Sequence, residues 1–480
     1  MCPRNQESPI RHRRHPLRAS LLCLCAPLAA AHAGAGAGLD AAVVDRVVQE
    51  WLASTNAPSA SIAIVQDGRL AYARAYGAAR LAPKVRATPA TRYAVDSVSK
   101  QFTAAAMLLL AEQGKLSLDD PLSKWFPELR TAAAVTLRQL LTHTSGIRDY
   151  WPQDFLTPEM MRPTAVPALI DEWAQRPLDF DPGTDWQYSN TGYVLAGAVV
   201  ERVSGKTLFE FLEEHVFAPL HMSRVTEYSP AEEQATHGGP PWTAGDAAAY
   251  TRHGLGPVTA APKEGAGWLF GAAGLAMQPS DLAQWDVSLI ERSILKQESY
   301  QQEFEPIVLK DGRVQEYALG LAVQTVGGRL RIGHGGAGSG FLADNRVWPQ
   351  QKAAIVVFTN NDWADPSELS NRIAFLVLAP TPEEARVRNL FRALQQGSVD
   401  RRLFSSVGNF YLTPAVLADF RASLSPLGPA RLIELEHESQ RGGMTTRHWK
   451  ILCRAARLEA VERSHSDGKI EEFMVSRKED

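Results

Sequence analysis

Long apolar runs, paired cysteines and a charge of one sign are all missing from this 480-residue chain, and each absence excludes a class of protein. No apolar stretch approaches the roughly 20 residues that a membrane-spanning helix needs. The formal charge of −3 gives no electrostatic basis for nucleic acid or an anionic membrane as partner. Four cysteines are present, Cys2, Cys23, Cys25 and Cys453, and none has the spacing of a zinc site, so no metal and no other cofactor is expected. There are no internal repeats and no long low-complexity tract. What remains is an ordinary soluble composition, 45% hydrophobic and 21% charged, on a chain long enough for two or three domains.

The first 33 residues differ from the rest. Arg4, Arg11, Arg13, Arg14 and Arg18 form a basic start, Ala19 to Ala31 is apolar, and Ala31-His32-Ala33 suits a small-residue cleavage site. This is the plan of a secretory signal peptide, with a disordered basic tail as the alternative. The expected location is then periplasmic or secreted. Cys23 and Cys25 have no good lipobox around them. Cleavage would leave Cys453 alone, without an intramolecular disulfide, and its setting in Ile451-Leu452-Cys453 suits a buried thiol.

After a linker at 34–38, residues 40–53 carry apolar positions at helical spacing. The runs 61–65 and 70–73 flank Asp67-Gly68, a strong hairpin signal because both residues tolerate the positive φ of a tight turn. Residues 97–113 read as a buried helix. From about 115 to 300 the chain is rich in Pro, Gly and Trp, with helices expected at 191–203 and 280–289, the latter capped by Ser280. Strands are expected at 317–325, 328–333, 341–348 and 353–359, then a helix at 366–379. The simplest closure joins the first hairpin and the last strands in one antiparallel sheet, flanked by helices, with a mostly helical subdomain beside it. The fold class is therefore α/β in the α+β sense.

Pro380-Thr381-Pro382-Glu383-Glu384 marks a boundary, since Thr381 and Glu384 form a capping box around Pro382 at the first helical position. Three segments follow from this: a signal peptide at 1–33, a main domain at 34–380 and a small α+β domain at 381–480. The last has a helix starting at Thr413-Pro414 and strands at 430–437, 444–453, 456–463 and 469–476.

Three short stretches could carry chemistry. In Asp96-Ser97-Val98-Ser99-Lys100, Ser97 and Lys100 lie three apart and share a helix face, while Ser99 falls on another. A serine hydroxyl needs a base in contact, and a lysine serves if burial and the helix N-terminus lower its pKa. The alternative is a surface helix start with Lys100 solvated. In Gln187-Tyr188-Ser189-Asn190 a phenol and an amide can share a pocket; alternatively Tyr188 packs in the core and Asn190 or Thr191 caps the next helix. In Ile332-Gly333-His334-Gly335-Gly336-Ala337-Gly338-Ser339-Gly340 a strand ends in His-Gly-Gly, where bare backbone N–H groups can approach a substrate. The alternative is a glycine-rich turn with a surface histidine.

Together and in this order, Ser97-x-x-Lys100, Tyr188-x-Asn190 and His334-x-Gly336 resemble the three motifs of the serine β-lactamase and penicillin-binding-protein superfamily, in its class C-type branch. Leu140 to Gly146 (Leu-Leu-Thr-His-Thr-Ser-Gly), Pro182-Gly183 and Ser280-Asp281-Leu282-Ala283 support the likeness, which spans about residues 40–380. The resemblance implies the β-lactamase/transpeptidase-like fold. It implies Ser97 as acylated nucleophile, Lys100 as its proton acceptor or electrostatic activator, and Tyr188 as proton donor to the leaving group. Asn190 would orient Lys100 and substrate, and the Ala337 and Ser97 N–H groups would form an oxyanion hole beside Gly336. His334 replaces the lysine of true β-lactamases, and His143 belongs to a structural turn in relatives. Tail domains resembling residues 381–480 occur on some members, with a nuclear-transport-factor-2-like shape.

Histidine lacks lysine's permanent charge for the carboxylate of a β-lactam, and Gly335 lacks the hydroxyl that would help bind it. The expectation is therefore an esterase or amidase acting on a small ester, amide or D-amino-acid peptide. The alternatives are a β-lactamase or D-Ala-D-Ala carboxypeptidase, and a non-catalytic penicillin-recognising or acyl-binding protein. The oligomeric state is not legible.

Overall fold

The structure, a computed structural model, describes residues 39–229 and 238–478. The expected signal peptide and the linker at 34–38 lie outside the described residues. From Leu39 onward the chain forms one unit.

Helix α1 (Ala41–Thr55) starts at Asp40, whose carboxylate accepts the N–H groups of Ala42 and Val43. Strands β1 (Ser59–Gln66) and β2 (Arg69–Leu81) form the expected hairpin, with Asp67 and Gly68 both at positive φ. A short β3 (Lys84–Arg86) extends it. The later strands are β4 (Ala322–Val326), β5 (Arg329–Gly338), β6 (Phe341–Trp348) and β7 (Ala353–Thr359). All seven form one sheet in the order β3-β2-β1-β7-β6-β5-β4, so β1 pairs with β7 and the first hairpin and the strands from Ala322 to Thr359 close a single antiparallel sheet, as expected.

β1 and β7 are covered on both faces, and this explains their unbroken apolar sequences. Ile62, Ile64, Ile355 and Val357 point to α1 and to the helix Pro366–Val377. Ala63, Val65, Val356 and Phe358 point to the larger core, shared with helices Ser99–Glu112 and Pro279–Glu291. There Phe102 packs on Trp285 with centroids 4.9 Å apart. Among the described residues no helix is long and apolar enough to cross a membrane.

Three expected boundaries are corrected. The helix expected at 280–289 begins at Pro279, after Gln278, so Ser280 is its second residue and not its cap. The strand expected at 317–325 starts at Ala322; before it, only Tyr317 makes an isolated bridge. β5 does not end at His334-Gly335-Gly336. It continues to Gly338 because β6 pairs with it throughout, from Ile332↔Val347 to Gly338↔Phe341.

Beyond Val377, Thr381 caps the helix Pro382–Gln395 with the expected capping box. A four-stranded antiparallel meander follows, β8 (Leu432–Arg441), β9 (Met444–Leu452), β10 (Arg457–Ser464) and β11 (Ile470–Arg477), over a core that includes Leu390, Phe391, Trp449 and Ile451. Cys453 is buried beside it. The buried pair Arg329–Glu384 and the exposed pair Arg431–Glu50 tie this segment to the larger sheet and to α1.

Glu303 ends the helix Gln297–Glu303 fully buried, with neither carboxylate oxygen hydrogen-bonded, and burial lifts its pKa to about 8. The native state then holds a proton that the unfolded chain has lost above about 4.5, so this group lowers stability as pH rises toward 8. Glu303→Gln removes that slope. Its stability gain over the parent is expected to grow between pH 5 and pH 8 by roughly 1.4 kcal/mol per unit at most. Thermal unfolding at both pH values measures it, and an equal difference at the two would contradict the assignment.

Candidate active site

Ser97 lies in a single 3-10 turn, Asp96–Val98, that leads into the helix Ser99–Glu112. That helix is buried from Ser99 to Leu108, which carries Lys100 into the core. The Lys100 ammonium donates to Ser97 Oγ at 3.0 Å, to Asn190 Oδ1 at 2.8 Å and to the Ala272 carbonyl at 2.8 Å. A surface lysine is thereby excluded. Burial lowers its pKa to about 7, against the opposing charges of Asp149 and Asp96. Ser99 is turned away, its Oγ accepting the Leu275 N–H at 3.2 Å.

Asn190 opens the helix Asn190–Ser204, but the cap is Ser189, whose Oγ accepts the Gly192 N–H. The amide of Asn190 is therefore free for other work. Its Nδ2 donates to Asp149 Oδ2 at 3.2 Å and its backbone N–H to Asp149 Oδ1 at 3.0 Å. With Nδ2 committed, Oδ1 must face Lys100. Asp149 was not among the sequence candidates; it stands three residues beyond Gly146, in a segment legible only as a turn.

Tyr188 is half-buried beside Lys100, whose Nζ lies 4.7 Å from its ring centroid. Burial raises the phenol pKa strongly, and a hydrogen-bonding contact with Ser97 opposes the rise. The phenol is thus protonated and beside the serine. His143 stacks under it with centroids 4.2 Å apart. Its Nδ1 accepts the Ser189 N–H at 3.1 Å, and burial holds its pKa well below the usual value. His143 is a neutral prop for the Tyr188 loop, in keeping with a structural turn.

β5 brings the third stretch. β4 pairs with it only as far as Gly333, so from His334 onward its outer edge has no strand partner among the described residues. That edge runs against the serine turn. A Cβ on Gly336 would lie 2.1 Å from the Val95 carbonyl oxygen, so only glycine permits the approach that places Ala337 next to the turn. His334 is 9% exposed, which excludes a surface histidine. Its Nδ1 bonds the Gly335 carbonyl at 2.5 Å, which makes that nitrogen the N–H, and its Nε2 accepts from Tyr317 Oη at 2.9 Å. Burial and the Lys100 charge lower its pKa to about 3, so the imidazole is neutral at physiological pH.

All seven sequence candidates therefore fall in one region, on three separate segments. The beta-lactamase family profile matches residues 44–378, most of the chain. The chain belongs to the beta-lactamase family. It is 28% identical over 325 residues to protein flp of Staphylococcus aureus, covering 66% of this chain and 62% of that protein's length. Among solved structures, a D-stereospecific amidohydrolase from Streptomyces is 25% identical with a TM-score of 0.59, covering 71% of this chain and all of that one. An octameric penicillin-binding protein homologue from Pyrococcus abyssi is 23% identical with a TM-score of 0.62, covering 92% of this chain and 97% of its own. The last is a likeness of fold, and it extends into the C-terminal segment. Family membership accords with the β-lactamase/transpeptidase-like architecture of the seven-stranded sheet and its helices.

Proposed function

We propose that this member of the beta-lactamase family is a serine hydrolase that forms an acyl-enzyme on Ser97 and acts on a carboxylic ester or amide, D-amino-acid peptides included. The observation that carries this is the Lys100–Ser97 contact of 3.0 Å, made by a buried lysine with a pKa near 7. Neutral Lys100 takes the proton of Ser97 as Oγ bonds to the substrate carbonyl carbon. The displaced electron pair settles on the carbonyl oxygen, held by the Ala337 and Ser97 N–H groups. Collapse breaks the bond to the leaving oxygen or nitrogen, which takes the phenol proton of Tyr188; Lys100 returns a proton to Tyr188. Water then repeats the sequence, releases the acid and restores Ser97.

The neutral His334 weighs against efficient β-lactam hydrolysis, because no fixed positive charge stands where a β-lactam carboxylate would bind. The Streptomyces likeness supports amides as substrates. A purely acyl-binding protein would have no use for a depressed lysine and a phenol at one serine. Residues 1–33 enter the proposal as an export signal. Residues 381–480 enter it as a small packing domain, supported by a hydrophobic core of their own.

The test is the pH dependence of kcat/KM for p-nitrophenyl acetate. The base must be neutral, so activity falls about tenfold per unit below pH 7 and levels above it. The Asp149 charge favours protonated Lys100, so Asp149→Asn moves the limb to lower pH. A profile flat from pH 5 to 9 would remove Lys100 as the base.

A further inference from the structure

Thr103 takes no part in the hydrolytic steps, yet it holds the carbonyl next to one that Lys100 uses. The turn Phe270–Ala273 is a helix of only four residues. A helix leaves its last carbonyls without partners of its own, and Gly271 and Ala272 carry two of these. Both are satisfied from the helix Ser99–Glu112. The Ala272 carbonyl accepts from Lys100 Nζ at 2.8 Å, and the Gly271 carbonyl accepts from Thr103 Oγ1 at 2.7 Å. Thr103 is 1% exposed and lies three residues beyond Lys100, on the same side of their helix. Ser99, one turn before Thr103, takes the Leu275 N–H just past the turn.

The turn shifts readily once released. Phe270 sits at φ +30°, a conformation that residues with a side chain rarely adopt. Gly271 rests on the helix Asn190–Ser204, where a Cβ would lie 2.7 Å from the Tyr193 carbonyl oxygen. On another side Leu269, Phe270, Gly274 and Leu275 border a cavity of about 330 Å³, which leaves the turn room to move.

The bonding of Lys100 gives the turn a task. A neutral amine has two N–H donors and one lone pair. The Ala272 carbonyl and Asn190 Oδ1 can only accept, so they take the two hydrogens. The lone pair is left facing Ser97 Oγ, the one partner that can donate.

We propose that Thr103 is a positioning residue: by holding the Gly271 carbonyl it keeps the Ala272 carbonyl on Lys100, and so keeps the lysine lone pair on the Ser97 proton. This rests on the hydrolase reading of Ser97. Asp149 and Asp96 favour charge on Lys100, and neutral His143 and His334 and the rings of Tyr188 and Tyr193 also face it. A change at Thr103 leaves all six in place.

Thr103→Val keeps the shape and removes the donor. With p-nitrophenyl acetate, kcat should fall about tenfold to a hundredfold while KM stays within about twofold. The Ala272 carbonyl favours the ammonium, so its retreat lowers the Lys100 pKa. The acidic limb of kcat/KM should then move to lower pH by about half a unit or more. Thr103→Ser restores the hydroxyl and should restore both kcat and the limb. If Thr103→Val does not fold, Thr103→Cys carries the test, since its thiol is a weak donor of similar size. Unchanged kinetics, a lower kcat with an unmoved limb, or a loss that Thr103→Ser does not restore would each overturn the proposal. The rate at which a p-nitrophenyl phosphonate labels Ser97, read by intact mass, needs no turnover. Its phosphorus bonds to Oγ as p-nitrophenolate leaves and Oγ gives up its proton, so it reports the same proton transfer. Labelling that slows in Thr103→Val, in a parent that hydrolyses no ester, would overturn the hydrolase reading alone. Equal labelling of the parent and Thr103→Val would overturn the positioning role.

Discussion

Ser97→Ala is expected to lower p-nitrophenyl ester turnover by about 10⁴-fold or more, to near the uncatalysed rate, with the fold intact. The size follows from covalency: every step of the proposed path passes through Oγ, and nothing beside it can replace it. Ser99 is the nearest alternative hydroxyl, and it is held by the Leu275 N–H, away from Lys100. Tyr188 is the other hydroxyl at the site, and its strongly raised pKa makes it a poor nucleophile. The fold should survive because Ser97 is half-exposed and its loss leaves Lys100 two further acceptors, Asn190 and Ala272. Intact mass after brief exposure to substrate should show an acyl adduct on the parent and none on the variant. Turnover surviving in Ser97→Ala would end the proposed mechanism.

Gly336→Ala should cost about 10²-fold in kcat with much less change in KM. The added Cβ would stand 2.1 Å from the Val95 carbonyl oxygen and 3.0 Å from its carbon. Both are backbone atoms at the root of the serine turn, so no side chain can swing aside. Either β5 or the turn must shift, and the Ala337 N–H then leaves the position where it would meet the developing oxyanion. Gly335→Ala is the control. Its Cβ would meet nothing closer than 3.8 Å, so its effect should be small. Circular dichroism and the unfolding midpoint separate a displaced strand from an unfolded one. Equal activity in both variants would mean that the β5 edge takes no part in the reaction.

Much of the architecture was legible because local chemistry and tertiary packing agree. Asp67-Gly68 makes a tight turn wherever two strands meet it, and the Thr381–Glu384 box caps its own helix. The errors fall where packing overrides local preference. The expected strand ends at His334-Gly335-Gly336 because glycine is flexible, yet pairing with β6 carries it on to Gly338. Asn190 had two readings, a helix cap or a partner of Lys100; Ser189 takes the cap and leaves the amide for Lys100. Asp149 carried no signal, since an isolated acid in a loop looks solvated until the fold buries it.

By itself, the sequence determined which residues could do chemistry and their local spacing: Ser97 and Lys100 three apart, Tyr188 two before Asn190, and glycine at 336. These are properties of a few adjacent residues and need no distant partner. Only the tertiary structure decided their electrical state. The lysine is near neutral, the histidine uncharged and the Glu303 carboxyl lifted because desolvation depends on everything packed around a group, not on its neighbours in sequence.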